Sequence, residues 1–363
     1  MMDHYYPNTV RLGMNYDIVK RIADAVLYEG YILYPYRASA IKNQHRFNFG
    51  TLYPRSYSDA GGGGEPWSLS TECLVRGTQP TVEFHVRFLQ LIDRQIARLA
   101  SPLTELPWDG ETSSEAVDVL HVGNQSYHAW QEACEREVVT PERTIQEIVA
   151  QDREFSFEFS ARQDREPIRD ADGRVVGLIV RQQPPVAGAI KVAAEAIDPG
   201  VFKLKLSVSN ATSLEDAAAE RRDDALLHSF PSAHVVLMVR DGEFASLLDP
   251  PDELRTAALG CQNVGVWPVL AGDETRRDMM LASPIILYDY PQIAPESAGD
   301  FCDGTEIDEM LALRVLTLTD DEKDEMRCLD DRSRAILERT QSLPQEHFLK
   351  LHGAVRGSKA AQP

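Results

Sequence analysis

The sequence predicts an α+β protein with a mixed N-terminal region, an antiparallel β-rich centre and a helical C-terminal region. Three observations carry that expectation. Between about residues 155 and 269, period-two alternation of apolar side chains recurs around Asp-Gly turns, the signature of antiparallel strands. Near the N-terminus, Ile18, Ile22, Val26 and Leu27 are instead spaced as on one face of a helix. From about residue 305 onward, helix start signals follow one another. The chain divides accordingly into a mixed α/β region at 1–150, a β-rich region at 151–270, an acidic loop with helices at 271–355, and a small polar tail at 356–363 expected to be disordered.

The first helix, Tyr16 to Tyr28, has Gly30 placed to end it. Gly61 to Gly64, flanked by Ser and Pro, reads as a flexible connection; no Lys-Ser or Lys-Thr follows, so it does not match a phosphate-binding loop. In TVEFHVRFLQL, Val82, Phe84, Val86 and Phe88 alternate with Glu83, His85 and Arg87, which predicts a half-buried strand with His85 on a solvated face. Phe155, Phe157 and Phe159 alternate in the same way, and Asp172-Gly173 marks a tight turn before RVVGLIVRQQ. Further strands are expected at Ala187 to Ala196, Val201 to Val208 and His234 to Arg240, the last followed by a turn at Asp241-Gly242. Ser213 to Leu227 is predicted as a helix with Ser213 as its N-cap. Thr305 with Asp308 approximates a capping box before Ile307, Met310, Leu311 and Val315. Thr319 with Glu322 opens another helix, and Pro344 starts a last one that Gly353 stops.

Composition narrows the function classes. The chain carries 37 basic against 57 acidic residues, a formal charge of −20, with a sequence pI near 4.9. Such a surface repels polyanions, so no nucleic-acid partner is expected. No run of about 18 apolar residues occurs, the start lacks the pattern of a signal peptide, and the five cysteines are widely spaced. These features predict a cytoplasmic protein without a membrane span, in a reducing compartment. There is no Cys-x-x-Cys, no His-x-x-x-His and no Gly-x-Ser-x-Gly, so no metal, no cofactor and no catalytic residue is predicted.

Against this acidic background Gly30 to Ser58 stands out, since it holds Arg37, Lys42, Arg46 and Arg55 and no Asp or Glu. It is also rich in aromatic residues. Arginine and aromatic side chains are the usual anchors of recognition. The candidate partner-binding residues are therefore Tyr34, Tyr36, Arg37, Lys42, His45, Arg46, Phe49 and Arg55. An alternative gives the same segment a small anionic ligand, with Arg37 and Arg46 gripping a carboxylate or phosphate and His45 as acid or base. A third reading makes the segment structural, buried beneath an acidic counterpart. That counterpart runs from Met279 to Leu313, opens with SPIILYDYP, and contains Asp289, Glu296, Asp300, Asp303, Glu306, Asp308 and Glu309 with no Lys or Arg. It can dock on the cationic segment, steer a partner, or simply be a solvated loop with acids at helix starts. Asp289, Asp300, Asp303 and Glu306 offer oxygens to a hard cation, but not in EF-hand spacing.

Two blocks, AVLYEGYILYPYRASAIKNQHRFNFGTLYPRSYS and LASPIILYDYPQIAPESAGDFCDGTEIDEMLALRVLTLTDDEKDEM, resemble an uncharacterised accessory family encoded beside uptake-type NiFe-hydrogenase genes in bacteria. The resemblance covers about the first 60 and the last 80 residues. It implies a role in assembly, maturation or organisation of a NiFe hydrogenase, with a hydrogenase subunit or maturation protein as partner. It transfers no catalytic residues.

Overall fold

The alternation that starts at Thr81 does not stop at Leu91. In the computed structural model, which describes residues 13–28, 49–61, 64–105, 113–292, 315–329 and 331–342, it belongs to one strand of 23 residues. In chain order the strands are β1 (Ser68–Arg76), β2 (Thr81–Leu103), β3 (Ser114–Val117), β4 (Val119–Val122), β5 (Gln125–His128), β6 (Trp130–Val139) and β7 (Arg143–Thr144). After a short helix come β8 (Arg153–Phe159), β9 (Arg162–Arg169), β10 (Val175–Gln183), β11 (Val186–Asp198) and β12 (Val201–Asn210). The last four are β13 (His234–Arg240), β14 (Glu243–Ala245), β15 (Trp267–Leu270) and β16 (Met279–Ser283).

Two antiparallel sheets face each other. One has the order β14-β1-β12-β11-β8; the other follows β15-β16-β13-β2-β10-β9, with β3, β6 and β7 also paired to β2. Period-two alternation sends Val82, Phe84, Val86 and Phe88 of β2 and Val235, Leu237 and Val239 of β13 inward. There they meet Leu204, Leu206 and Val208 of β12 and Ile190 and Val192 of β11 in one apolar core. At its centre Phe88 stacks on Phe230 with centroids 4.4 Å apart, and Phe157 lies 5.9 Å from Phe88 and 5.7 Å from Phe230. Gly188 of β11 sits directly opposite Phe157, and the ring occupies the space a side chain there would need.

The opposite face of the larger sheet is covered by α1 (Gly13–Tyr28). Val19, Ile22, Ala23 and Val26 pack on Val236 and Met238 of β13 and Met279 and Leu281 of β16. The molecule thus has three layers, helix on sheet on sheet. Beyond Leu91, β2 leaves the sandwich and carries β10, β9 and β3 into an extension with its own small core of Ile96, Leu120, Ile168 and Ile179.

The expected α+β class is overturned: the described residues form a mainly antiparallel β structure with few, short helices. Strand pairing begins at Ser68, so the region read as mixed supplies the central strand. Past residue 271 the described residues comprise β16, two helical residues at 315–316 and two helices, Asp320–Leu329 and Asp331–Ser342. The helix predicted from Ser213 shrinks to five residues, Arg222–Leu226. Asp216 takes a left-handed φ of 51° and its carbonyl accepts from Ala219 N, so that stretch closes as a turn. The helices predicted from Thr305 and Pro344 and the 356–363 tail lie outside the described residues, as do Gly62 and Gly63.

Candidate functional site

Of the predicted partner-binding residues, Tyr34, Tyr36, Arg37, Lys42, His45 and Arg46 lie outside the described residues. Phe49 and Arg55 lie within them. The chain from Phe49 on is stitched to the sandwich: Ser232 N donates to Phe49 O at 3.0 Å, and Leu52 and Phe230 exchange backbone hydrogen bonds of 3.1 and 3.0 Å. Gly50 between them has φ 55°, and a Cβ there would lie 2.6 Å from the Pro284 ring, so only glycine serves. Tyr53 is fully buried, and burial pushes its phenol well above the usual range. Two residues later Arg55 opens α2 (Arg55–Ala60) and reaches solvent, its guanidinium 4.7 Å above the Trp67 ring and 3.5 Å from Asp59.

Arg55 and Trp67 line an open cavity of about 580 Å³ on the outer face of the smaller sheet. Its floor follows from register. Ser68, Ser209 and Ala189 form one row across β1, β12 and β11, and Ser207, Lys191 and Glu154 form the next across β12, β11 and β8. The short side chains of Ser68, Ser209, Ala189 and Ser207 leave a trough where long polar residues would fill the face. Lys191 and Glu154 close one end with an ion pair of 3.4 Å.

His85 corrects its sequence reading. It stays polar-faced, but that face lies under α1, and only 9 % of the residue is exposed. Its Nε2 is 2.9 Å from Glu83, its Nδ1 is 3.0 Å from Glu137 and 3.1 Å from the Tyr16 hydroxyl, and that hydroxyl donates to Glu137 at 2.9 Å. Arg87, one pleat on, pairs with Asp24 of α1 and lies 3.6 Å from Glu135, which accepts from Tyr28 at 2.9 Å. Burial pulls the His85 pKa down, but hydrogen bonds to Glu137 and Glu83 outweigh it and hold the imidazole above its ordinary value. Burial likewise works against Glu137, yet His85, Tyr16 and Arg87 bring its carboxyl down to about 2. His234, opposite Arg87 across β13 and β2, is fully buried. Burial and the neighbouring guanidinium lower it to about 3, and its Nδ1 donates to Ser232 O at 2.7 Å. This network glues α1 to the sheet.

The second feature that sequence reading did not place is the edge beside β15. After β16 the chain turns back and is fixed there by Tyr290 N donating to Leu270 O at 2.6 Å and Leu270 N donating to Asp289 at 2.8 Å. Between the end of β16 and Asp289, Leu287 turns inward to the core under α1, and its neighbours Ile286 and Tyr288 point out, 75 % and 86 % exposed. Trp267, paired with Ser283 at the start of β15, is also exposed. The signal was the alternation in SPIILYDYP, which marks two faces without saying which is covered.

Asp289 spends its carboxylate on Ser246 and Leu270 N, whereas Asp300, Asp303 and Glu306 lie outside the described residues. Among the described residues no group of three or more His, Cys, Asp or Glu side chains is placed to hold a metal ion. None of their helices is long and apolar enough to cross a membrane. No protein-family model and no curated protein matches the chain.

Proposed function

We propose that this chain works by binding a protein partner, as a cytoplasmic accessory in the assembly, maturation or organisation of a NiFe hydrogenase. The observation that carries the binding role is the pair Ile286 and Tyr288, which project from a backbone held by β16 and the Ile285 N to Ser283 hydrogen bond on one side and by Asp289 and Tyr290 on the other. Apolar side chains scattered singly are normal on a surface; two on one side of a fixed segment form an anchor. Because the backbone is already ordered, docking there immobilises little that was free. The hydrogenase setting rests on the resemblance of the two sequence blocks, and the second block contains Ile286 and Tyr288.

The test is affinity purification of the tagged chain at native abundance, followed by mass spectrometry, beside an Ile286→Ser/Tyr288→Ser variant. Hydrogenase subunits or maturation proteins should be enriched by the parent and lost by the variant. Both side chains are exposed, so the variant's melting temperature should match the parent's. A parent that enriches no hydrogenase protein removes the setting, and a variant with an undiminished partner set removes the surface.

A further inference from the structure

The trough on the outer face of the smaller sheet is a different kind of site from the apolar edge, and lies on the other sheet. We propose that it holds the anionic head, carboxylate or phosphate, of a small molecule, gripped by Arg55 and Lys191 and by the hydroxyls of Ser68, Ser207 and Ser213.

Size and charge come first. A cavity of about 580 Å³ falls in the range of small-molecule sites. Its lining carries two cations, Arg55 and Lys191, against one carboxylate, Glu154, in a chain whose formal charge is −20. With Asp59, the ion-pair partner of Arg55, these groups balance, so the trough is locally neutral on a strongly acidic chain and does not repel an anion.

The cations are also available. Arg55 and Asp59 are 65 % and 64 % exposed, and Lys191 and Glu154 are 63 % and 54 % exposed. Pairs as open as these contribute little, so a ligand oxyanion can replace either partner at small cost. Trp67 covers one face of the Arg55 guanidinium and Asp59 lies 3.5 Å from its Nε, which leaves the edge formed by its two Nη groups to a ligand. That edge is the part that matches the two oxygens of a carboxylate or phosphate.

The donors complete the site. Among the described residues Ser68, Ser207 and Ser213 make no side-chain hydrogen bond, whereas other hydroxyls of the trough are engaged: Thr212 with Ala187, and Ser56 with Leu214 O at 3.4 Å. Hydroxyl donors beside a fork-shaped cation and an ammonium are the complement of an oxyanion.

The experiment titrates the full chain with inorganic phosphate and, separately, with succinate, using calorimetry and the Trp67 indole N–H resonance. At least one anion should shift that resonance and bind with a Kd of about 1 mM or tighter. Arg55→Gln and Lys191→Gln should each weaken binding about tenfold, which is about 1.4 kcal/mol, without changing the melting temperature. Response to phosphate alone assigns a phosphoryl head, and response to succinate alone a carboxylate. A Trp67 signal unmoved by both anions, or affinity equal to the parent's in both variants, overturns the site.

Discussion

The histidine pair beneath α1 gives the fold a pH signature that can be worked from geometry. His234 is fully buried, opposite Arg87, and held at about 3, below its ordinary 6.5. The unfolded chain takes up that proton first, so stability falls as pH drops below about 6.5, by about 1.4 kcal/mol per pH unit. Below about 4.5 Glu137, held near 2, adds a second proton and roughly doubles that slope. His85 acts in the opposite sense. Its folded-state pKa is raised, so its contribution is complete below 6.5 and is lost as pH climbs through the folded value. The two histidines together place a stability maximum near pH 6.5. Urea denaturation from pH 4.5 to 8.5 resolves the limbs one variant at a time. His234→Asn, which keeps a donor for Ser232 O, should flatten the acid limb by about 1.4 kcal/mol per unit, and His85→Asn should flatten the alkaline one. Other carboxylates, common to parent and variant, cancel in the difference. A parent-minus-variant difference that does not change with pH, or changes with the opposite sign, would refute the assignment.

Two further outcomes test the packing. Glu132 bridges two cations, 3.3 Å from buried Arg94 and 2.7 Å from Arg181, which face each other across β2 and β10. Glu132→Gln removes the charge between them and should cost about 3–5 kcal/mol, read from the urea midpoint; a midpoint unmoved by the change would show that the pair is already satisfied without it. Gly188→Ala places a Cβ 2.3 Å from the Phe157 ring, which Phe88 and Phe230 hold in place. Overpacking of that kind should cost about 1–3 kcal/mol, and an unchanged midpoint would mean the ring moves freely.

Much of the β architecture is legible where one face of a strand is wet. Phe155, Phe157 and Phe159 alternate with polar residues because one face of β8 meets the core and the other meets solvent, and the turns at Gly173 (φ 78°) and Asp241 (φ 53°) sit where Asp-Gly pairs announce them. The Thr319–Glu322 box also forms, with bonds of 2.8 and 3.3 Å. Legibility fails where both faces are covered. β1 lies between β14 and β12 and is buried on both faces from Thr71 to Val75, so SLSTECLVR shows no clean period. In the second half of β2, Ile92, Ile96 and Leu99 are spaced as on a helix, yet pairing to β10, β6 and β3 overrides that preference. The alternation puts His85 on the polar face of its strand, and nothing local reveals that α1, far away in sequence, lies over that face. The trough was invisible for a related reason: its serines come from separate strands and meet only through register.

The same register separates the two surfaces in a way that experiment can exploit. Gly188 precedes Ala189 on β11, and Lys191 lies one pleat further, so a Cβ pressing on Phe157 displaces the strand that forms the trough floor. The Ile286–Tyr288 edge is fixed by Leu270 and Tyr290 on the other sheet, and its buried neighbour Leu287 packs under α1. Gly188→Ala should therefore weaken anion binding while leaving partner capture intact, and Ile286→Ser/Tyr288→Ser should do the reverse. Combined, the two changes should act additively, since they share no contacts. Loss of both activities from either variant alone would mean that the sheets move as one unit, and that ligand and partner report on a single coupled equilibrium.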